Sequence, residues 1–175
     1  MGCGDAMTDT PPPPPSTLAL VAAARAAMVN GHAPYSRFAV GAAVRLTDGT
    51  IVPGSNFENA SYGLSLCAET VALASVNALG RLRDVEAIAV AGGAIDAHGR
   101  IGGTAIITPC GRCRQVMTEA EQMAGRTIAI HCAGAEGHDL AQHSLAELLP
   151  HAFGPNTLGI TAPGYAQAST QAEDA

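Results

Sequence analysis

Two short stretches, Cys67-Ala-Glu69 and Pro109-Cys-Gly-Arg-Cys113, decide how this sequence folds and what it binds. They hold three of the five cysteines in a chain of 175 residues. Thiolates are preferred zinc ligands, and a closed structural zinc site usually takes four protein ligands, whereas a catalytic site keeps three and leaves the fourth position open. Cys67, Cys110 and Cys113, with a glutamate beside the first of them, therefore indicate one zinc ion in an open site.

Both stretches are predicted to lie at the start of a helix. Apolar spacing predicts one helix from Glu69 to Leu79 and another from Cys110 to Met123, with proline in the position that it prefers at a helix start. The partial positive charge of a helix N-terminus favours the thiolate form of cysteine. We expect Glu69 not to bind the ion but to transfer protons, first as a general base and then as a general acid.

The predicted zinc site needs a positively charged residue nearby. Three thiolates on Zn²⁺ leave a formal charge of −1, which opposes the loss of a proton from a water in the fourth position. Arg114, next to Cys113, is the candidate for balancing that charge. One alternative stays open: Cys132 could close a structural zinc site in a binding module, although its apolar surroundings favour a buried hydrophobic role.

The composition narrows the class of protein. The net charge is −6 and all nine basic residues are arginine, which disfavours a nucleic-acid partner because phosphate neutralisation dominates that kind of binding. No apolar run approaches the ~20 residues of a membrane span. An odd number of cysteines without a secretory signal indicates the reducing cytoplasm. Only 14% of the residues are charged, which indicates burial between subunits of an oligomer.

Along the chain, we predict a disordered proline-rich leader over residues 1–15, a catalytic domain over 16–160 and a flexible tail over 161–175. The element order is αββαβαβα, a mixed sheet with helices on its faces. The predicted elements besides the two helices above are a helix from Ser16 or Thr17 to about Asn30, strands at Phe38–Leu46, Ile51–Asn56, Val85–Ala91 and Thr127–Cys132, a glycine-rich loop at Gly92–Gly103, and a short helix at Ser144–Leu149.

Five blocks of sequence, in order, carry a resemblance to a known family. They are Ala33–Ala42, Asn56–Tyr62, Cys67–Glu69, Pro109–Gln115 and Leu148–Pro155. Together they resemble the small homotetrameric cytidine deaminases, zinc enzymes of pyrimidine nucleoside salvage, from about Leu18 to about Leu158. The resemblance implies a three-layer α/β/α fold with a mixed central sheet of about five strands.

The same resemblance implies a reaction and its substrate residues. The reaction is hydrolytic deamination of cytidine and deoxycytidine to uridine and deoxyuridine by zinc-activated water. Alternative substrates are a modified cytosine nucleoside, such as blasticidin S or an N4-substituted cytidine. In the family pattern Asn56 and Glu58 would hold the ribose, Phe38 would pack on the pyrimidine and Ala68 would help read the base. Residues at the subunit border would reach the ligand of the adjacent subunit; they are Ala60, Tyr62 and Phe153.

Two positions depart from the family pattern. Thr70 stands where the family usually has an arginine that neutralises the thiolates, so we expect a less acidic zinc-bound water or another donor that rebalances the site. Gly63 stands where the family commonly has proline, which predicts a looser loop around Tyr62 and a broader or shifted substrate range.

Overall fold

The computed structural model describes residues 15–160. The predicted tail at 161–175 and the predicted leader, apart from Pro15, lie outside this range. Pro15 was expected in the leader but is the first residue of helix α1, a position that proline tolerates because the first N–H groups of a helix have no partner within it.

The described chain alternates helices and strands. Its four helices are α1 at Pro15–Met28, α2 at Ala68–Ala78, α3 at Gly111–Ala124 and α4 at Leu145–Leu148. Its six strands are β1 at Phe38–Leu46, β2 at Ile51–Ser55, β3 at Val85–Ile95, β4 at Ile101–Gly102, β5 at Ala129–Gly134 and β6 at Leu140–His143. Single turns of 3₁₀ helix lie at Tyr62–Leu64, Leu82–Asp84 and Pro155–Leu158.

The strands form one mixed sheet in the order β2-β1-β3-β5-β6, with the short β4 paired to β3. Strands β3 and β5 are parallel, in the register Ile88 to Ile130 and Val90 to Cys132, and α3 lies in the connection between them. The other pairings among the described strands are antiparallel. The predicted α/β/α fold with a mixed central sheet is therefore confirmed.

The two faces of the sheet carry different helices. On one face Ile88 and Val90 pack with residues of α2 and α3 such as Met117. On the other face small residues such as Ala43 and Ala89 pack with α1. Strand alternation explains the split, because successive side chains point to opposite faces.

Helix α2 lies very close to the sheet at one point. A Cβ atom added to Gly54 of β2 would be 2.5 Å from the Ala72 nitrogen and 2.6 Å from the Ala68 oxygen. The first two turns of α2 therefore rest on the backbone of β2, an approach that only glycine permits.

The strands differ from the prediction in three places. Half of the expected loop at Gly92–Gly103 is paired, since β3 continues to Ile95 and β4 returns along it. Strand β6 was not predicted, and the strand expected at Thr127–Cys132 lies two residues later. No helix within residues 15–160 is long and apolar enough to cross a membrane.

Candidate active site

Three cysteine sulfurs meet where α2 and α3 begin. Cys67 and Cys110 are the N-cap residues of these helices, and neither uses its side chain to cap its own helix. Cys113 follows one turn into α3 and is buried. The Cys67 and Cys110 sulfurs are 3.8 Å apart and the Cys110 and Cys113 sulfurs 3.5 Å apart, and all three lie within 4.8 Å of one another. Two sulfurs bound to one zinc at ~2.3 Å and a tetrahedral angle lie ~3.8 Å apart, so this cluster fits zinc.

The electrostatics of the cluster favour a thiolate at Cys67. A hydrogen bond from the Cys113 thiol is the main cause that lowers the pKa of Cys67 to about 6, and the positive charge of Arg112 adds to it. The same sulfur contact and burial raise the pKa of Cys113 above the usual range of a thiol. One thiolate is thus present at neutral pH to receive a cation.

Glu69 is a buried carboxyl group beside the cluster. It occupies the first turn of α2, and only 4% of its surface is exposed. Burial raises the pKa of Glu69, although hydrogen bonds from its own backbone and from Cys113 oppose the rise. A carboxyl group with a raised pKa binds a proton more readily than an exposed one, which suits a proton-transfer group.

Cys132 is not part of the cluster. Its side chain is fully buried in the core with Val90 and Met117, and the metal-type group found among the described residues contains Cys67, Cys110 and Cys113 alone. Burial raises the pKa of Cys132 to about 11, so its thiol stays protonated. The alternative of a closed structural site with Cys132 as the fourth ligand is therefore not favoured.

An open cavity of about 360 Å³ leads to these groups. Small-molecule sites commonly have volumes of ~300–1,000 Å³. Besides Cys67, Glu69 and Cys110, its walls include four of the predicted substrate residues: Phe38, Asn56, Glu58 and Ala68. Ser36, Ser65 and Thr108 also line it and were not predicted as site residues.

Asn56 and Glu58 are held in place by the backbone of the preceding segment. The Asn56 side chain accepts from the Val40 N–H and donates to the Phe38 oxygen, each at 2.9 Å. Glu58 Oε2 accepts from the N–H groups of Tyr35 at 2.9 Å and Ser36 at 3.2 Å. Burial opposes ionisation of Glu58, but these bonds and the Ser36 hydroxyl outweigh it and lower its pKa. One Asn56 N–H and Glu58 Oε1 remain to bind a ligand.

Phe38 reaches the cavity from the first position of β1. The residue before it, Arg37, has a φ of 53°, which is uncommon outside glycine, and its guanidinium donates to the oxygens of Ile95 and Asp96. A Cβ atom on Gly92 would lie 3.2 Å from Phe38 Cε1 and 2.6 Å from Ile107 Cδ1. Gly92 thus leaves the space that the Phe38 ring occupies.

The two arginines next to Cys113 bind carbonyl oxygens. Arg114 donates to Pro109 at 2.8 Å through Nε and to Leu148 at 2.8 Å through Nη1. Arg112, which was not predicted as a site residue, donates to Ser65 at 3.2 Å and is the cation that acts on Cys67. The sequence signal that could have pointed to Arg112 is its position between Cys110 and Cys113.

The other three predicted substrate residues lie on the surface, outside the walls of this cavity. Ala60 is exposed, Tyr62 is 74% exposed and Phe153 is 61% exposed. The Tyr62 ring meets Tyr35 edge-on, with the ring centres 5.7 Å apart. Gln115 Nε2 donates to the Phe153 oxygen at 2.7 Å, which fixes the backbone of Phe153 while its ring points outward.

A mixed sheet that carries three clustered cysteine sulfurs beside a buried glutamate defines a zinc-hydrolase type of site. A sequence model of the "Cytidine and deoxycytidylate deaminase zinc-binding region" matches residues 16–130. The chain belongs to this deaminase family, and its cofactor is zinc.

Individual relatives agree with this assignment. The chain is 40% identical to the cytidine deaminase of Mycobacterium tuberculosis H37Rv over 132 residues, which cover 75% of this chain and 85% of that protein. It is also 40% identical to the cytidine deaminase of Halalkalibacterium halodurans over 134 residues, covering 77% and 91%. The crystal structure of cytidine deaminase from Burkholderia pseudomallei has a TM-score of 0.66 and 44% identity, covering 78% of this chain and 98% of that one.

Proposed function

We propose that this protein catalyses the hydrolytic deamination of cytidine and deoxycytidine to uridine and deoxyuridine, with release of ammonia. The observation that carries the proposal is one cavity whose walls include the metal-binding sulfurs of Cys67 and Cys110, the buried Glu69 carboxyl group and the ribose-type residues Asn56 and Glu58. The metal ligands and the proton-transfer group lie together in this cavity, and the polar groups suited to a sugar line its wall.

Each residue has a chemical task in this proposal. Cys67, Cys110 and Cys113 would hold the zinc, and the bound ion would supply a Lewis acid that makes a water molecule more nucleophilic. Glu69 would take one proton from the water and deliver it to N3 of the cytosine ring. It would then take the second proton from the same oxygen, which becomes the carbonyl of uridine, and deliver it to the amine, which leaves as ammonia. Its burial raises the pKa of the carboxyl group and so favours the protonated form that it needs when it acts as an acid. Ala68 would present its backbone to the base.

The cavity favours a nucleoside over a nucleotide. Phe38 offers an aromatic face for the pyrimidine, while the free oxygen of Glu58 and the remaining N–H of Asn56 can bind ribose hydroxyls. Among the described residues, the cavity wall contains Glu58 but no arginine, so a 5′-phosphate near Glu58 would be repelled rather than paired.

We further propose a homotetramer in which neighbouring subunits complete each site. Tyr62 and Phe153 are large, exposed and outside their own subunit's cavity wall, which supports a role at the site of an adjacent subunit, as does the position of Ala60 near Tyr62. We assign the enzyme to pyrimidine salvage in the cytoplasm, where a reducing environment keeps thiolate ligands available for zinc. Arg114 remains our candidate for charge balance, acting through the Pro109 carbonyl.

A substrate panel tests the proposed reaction. The purified zinc-loaded protein is incubated with cytidine, deoxycytidine, cytidine monophosphate, free cytosine, blasticidin S and an N4-substituted cytidine, and the ultraviolet change and ammonia release are followed. We expect both plain nucleosides to react, with kcat/KM for free cytosine lower by about 100-fold or more because Asn56 and Glu58 lose their partners. Preferential turnover of blasticidin S or the substituted cytidine would assign the chain to the alternative substrate class.

A further inference from the structure

Phe153 is held by its backbone rather than by its ring. Gln115 Nε2 of α3 donates to the Phe153 oxygen at 2.7 Å. The residues that follow, Gly154 and Pro155, are buried, whereas 61% of the Phe153 surface is exposed. Within residues 15–160 the ring has no aromatic partner and belongs to none of the apolar clusters of the core. The fold therefore fixes the main chain of Phe153 and leaves its ring facing outward.

A second glutamine supports the same segment from the same side of α3. Gln122 Oε1 accepts from the Asn156 N–H at 3.0 Å. Gln115 and Gln122 are seven residues apart, and an α-helix has 3.6 residues per turn, so both side chains leave the same side of the helix. This side of α3 therefore binds the backbone of residues 153–156 at both ends.

The chain before Phe153 needs such support. His151, two residues earlier, has a φ of 56°, which is uncommon outside glycine. A conformation of this kind costs free energy and persists only where the surrounding structure determines it. Residues 150–153 also lie outside the helices and strands. The bond from Gln115 therefore acts where the path of the chain, and with it the direction of the Phe153 ring, is least determined by regular structure.

Gln115 belongs to the helix that carries two of the clustered cysteines. It follows Cys113 by two residues, but its amide donates away from the sulfurs, to the Phe153 oxygen. Cys110 and Cys113 lie at the start of α3 and face the cavity of their own subunit. One helix therefore holds both the candidate metal ligands and the residue that the proposed function places at the border with an adjacent subunit.

We infer that Gln115 is a positioning residue for the reaction: by holding the Phe153 carbonyl, its side-chain amide directs the aromatic ring onto the pyrimidine bound in the adjacent subunit. This inference rests on the proposed function, in which Phe153 completes the site of a neighbour. Gln115 of one subunit then controls substrate binding in another, while the cysteines of the same helix serve their own subunit.

The first measurement isolates the amide donor. Gln115→Glu keeps the shape of the side chain but, when ionised, has only acceptor oxygens, and Gln115→Ala removes the group. Because Gln115 is exposed, neither change disturbs the core. We expect both variants to raise the KM for cytidine by about 3- to 10-fold, the effect of one lost hydrogen bond, with kcat nearly unchanged. The control is Gln142→Ala, which removes an exposed glutamine from β6 and should leave the KM unchanged.

A double-variant cycle shows whether Gln115 acts through Phe153. Phe153→Ala should raise the KM for cytidine by about 10-fold or more, because stacking of the base on the ring is lost. In the Phe153→Ala background, Gln115→Ala should cause no further change, because the group that it positions is gone. An equal rise in KM in both backgrounds would overturn the inference, since Gln115 would then act without the ring.

Mixed tetramers test whether the effect crosses the subunit border. Gln115→Ala subunits, which keep Glu69, are coexpressed with an excess of Glu69→Gln subunits, which keep Gln115, and separate tags isolate the mixed species. Most active sites then receive Phe153 from a neighbour with an intact Gln115, so their KM for cytidine should return to that of the unmodified protein. A KM that stays high would show that Gln115 acts within its own subunit and would overturn the inference.

Failure of the proposed function gives a different pattern. An unmodified protein that does not deaminate cytidine, or that is monomeric by light scattering, would overturn the proposed function and this inference together. A normal KM in Phe153→Ala would have the same meaning for the place of Phe153 at the site. An active tetramer in which Phe153→Ala has a raised KM, but Gln115→Ala and Gln115→Glu do not, would overturn the inference alone.

Discussion

Arg114 Nη1 donates to the backbone oxygen of Leu148 at 2.8 Å, which joins the first turn of α3 to the last residue of α4. The same guanidinium donates through Nε to the oxygen of Pro109, the residue before the proposed zinc ligand Cys110. One side chain therefore connects the loop that carries a zinc ligand with the segment that leads to Phe153.

Replacing this arginine tests that connection. We expect Arg114→Ala to lower zinc retention and kcat/KM by about 10-fold or more, because the Cys110 loop loses its support and the cluster loses a nearby positive charge. Metal analysis after gel filtration and steady-state kinetics provide the measurements. Arg100→Ala is the control, since Arg100 is largely exposed and pairs with Asp96. An Arg114→Ala enzyme with full zinc and normal kinetics would remove Arg114 from the site.

The proton-transfer role of Glu69 predicts a separation of binding from catalysis. Glu69→Gln should lower kcat by about 10²–10⁴-fold, the usual range for a general acid–base group, while zinc remains bound at one ion per chain. Progress curves by ultraviolet absorbance and metal analysis of the same samples make the comparison. Glu119→Gln, an exposed change on α3, should leave both values unchanged. Near-normal turnover of Glu69→Gln would contradict the assigned role.

The exclusion of Cys132 from the cluster predicts opposite outcomes for two cysteine variants. Cys132→Ala should keep its zinc and lose only about 1–2 kcal/mol in free energy of unfolding, because it removes a buried sulfur from the core. Cys110→Ala should lose most of its zinc, because two thiolates remain. Metal content and urea titrations distinguish the two. Loss of zinc from Cys132→Ala would instead support a closed structural site with Cys132 as the fourth ligand.

The ribose assignment predicts an effect confined to nucleosides. Glu58→Gln replaces a charged acceptor with a neutral one, so the KM for cytidine should rise by about 10-fold with a smaller change in kcat. The slow reaction of free cytosine should be unaffected, because that substrate has no sugar. A matching loss for cytosine would instead indicate that Glu58 supports the fold of the loop through its bonds to Tyr35 and Ser36.

Buried His131 should make the free energy of unfolding depend on pH, independently of the metal site. It is 5% exposed on β5, and burial, followed by the charge of Arg45, lowers its pKa. Above about pH 6.5, the usual histidine pKa, neither folded nor unfolded His131 is protonated. Below that pH the unfolded chain binds the proton more readily, so stability falls as the pH decreases.

We expect His131→Gln to lose less stability than the unmodified protein between pH 7.5 and pH 5.5. Urea unfolding of the zinc-loaded proteins at pH 7.5 and at pH 5.5 gives the change in free energy of unfolding with pH for each protein. His138→Asn, at an exposed position, should follow the unmodified protein. If His131→Gln shows the same change with pH as the unmodified protein, buried His131 does not contribute to the pH dependence.

The parts of the site that sequence could predict depend on local spacing. Cys110 and Cys113 lie on one turn, and the helix starts at Cys67 and Cys110 follow from capping and apolar periodicity, so the cluster could be drawn from two short stretches. The substrate residues required the resemblance to a family, because nothing in the spacing of Asn56 or Glu58 indicates a sugar. Their bonds to the backbone of residues 35–40 arise only when the hairpin folds.

The features that sequence could not predict depend on long-range packing. Gly92 and Gly93 are typical of a loop, yet they lie inside β3. A side chain at these positions would collide with Ile107 and Gly102, which explains why the strand has glycine there. The contact of Arg114 with Leu148 spans 34 positions and has no local signal. Arg112 lies between two of the clustered cysteines, but its effect on Cys67, 45 positions away, depends on how α2 and α3 meet in the fold.

The contact of α2 with Gly54 has a genetic consequence. Because any side chain at Gly54 would push against the Ala68 and Ala72 backbone, it would lift the helix that carries Glu69 and move its carboxyl group relative to a bound nucleoside. A random library selected for growth on cytidine as the sole pyrimidine source should therefore be depleted of Gly54 substitutions as strongly as of changes in the zinc ligands. Selection would mark as essential a residue that touches neither metal nor nucleoside.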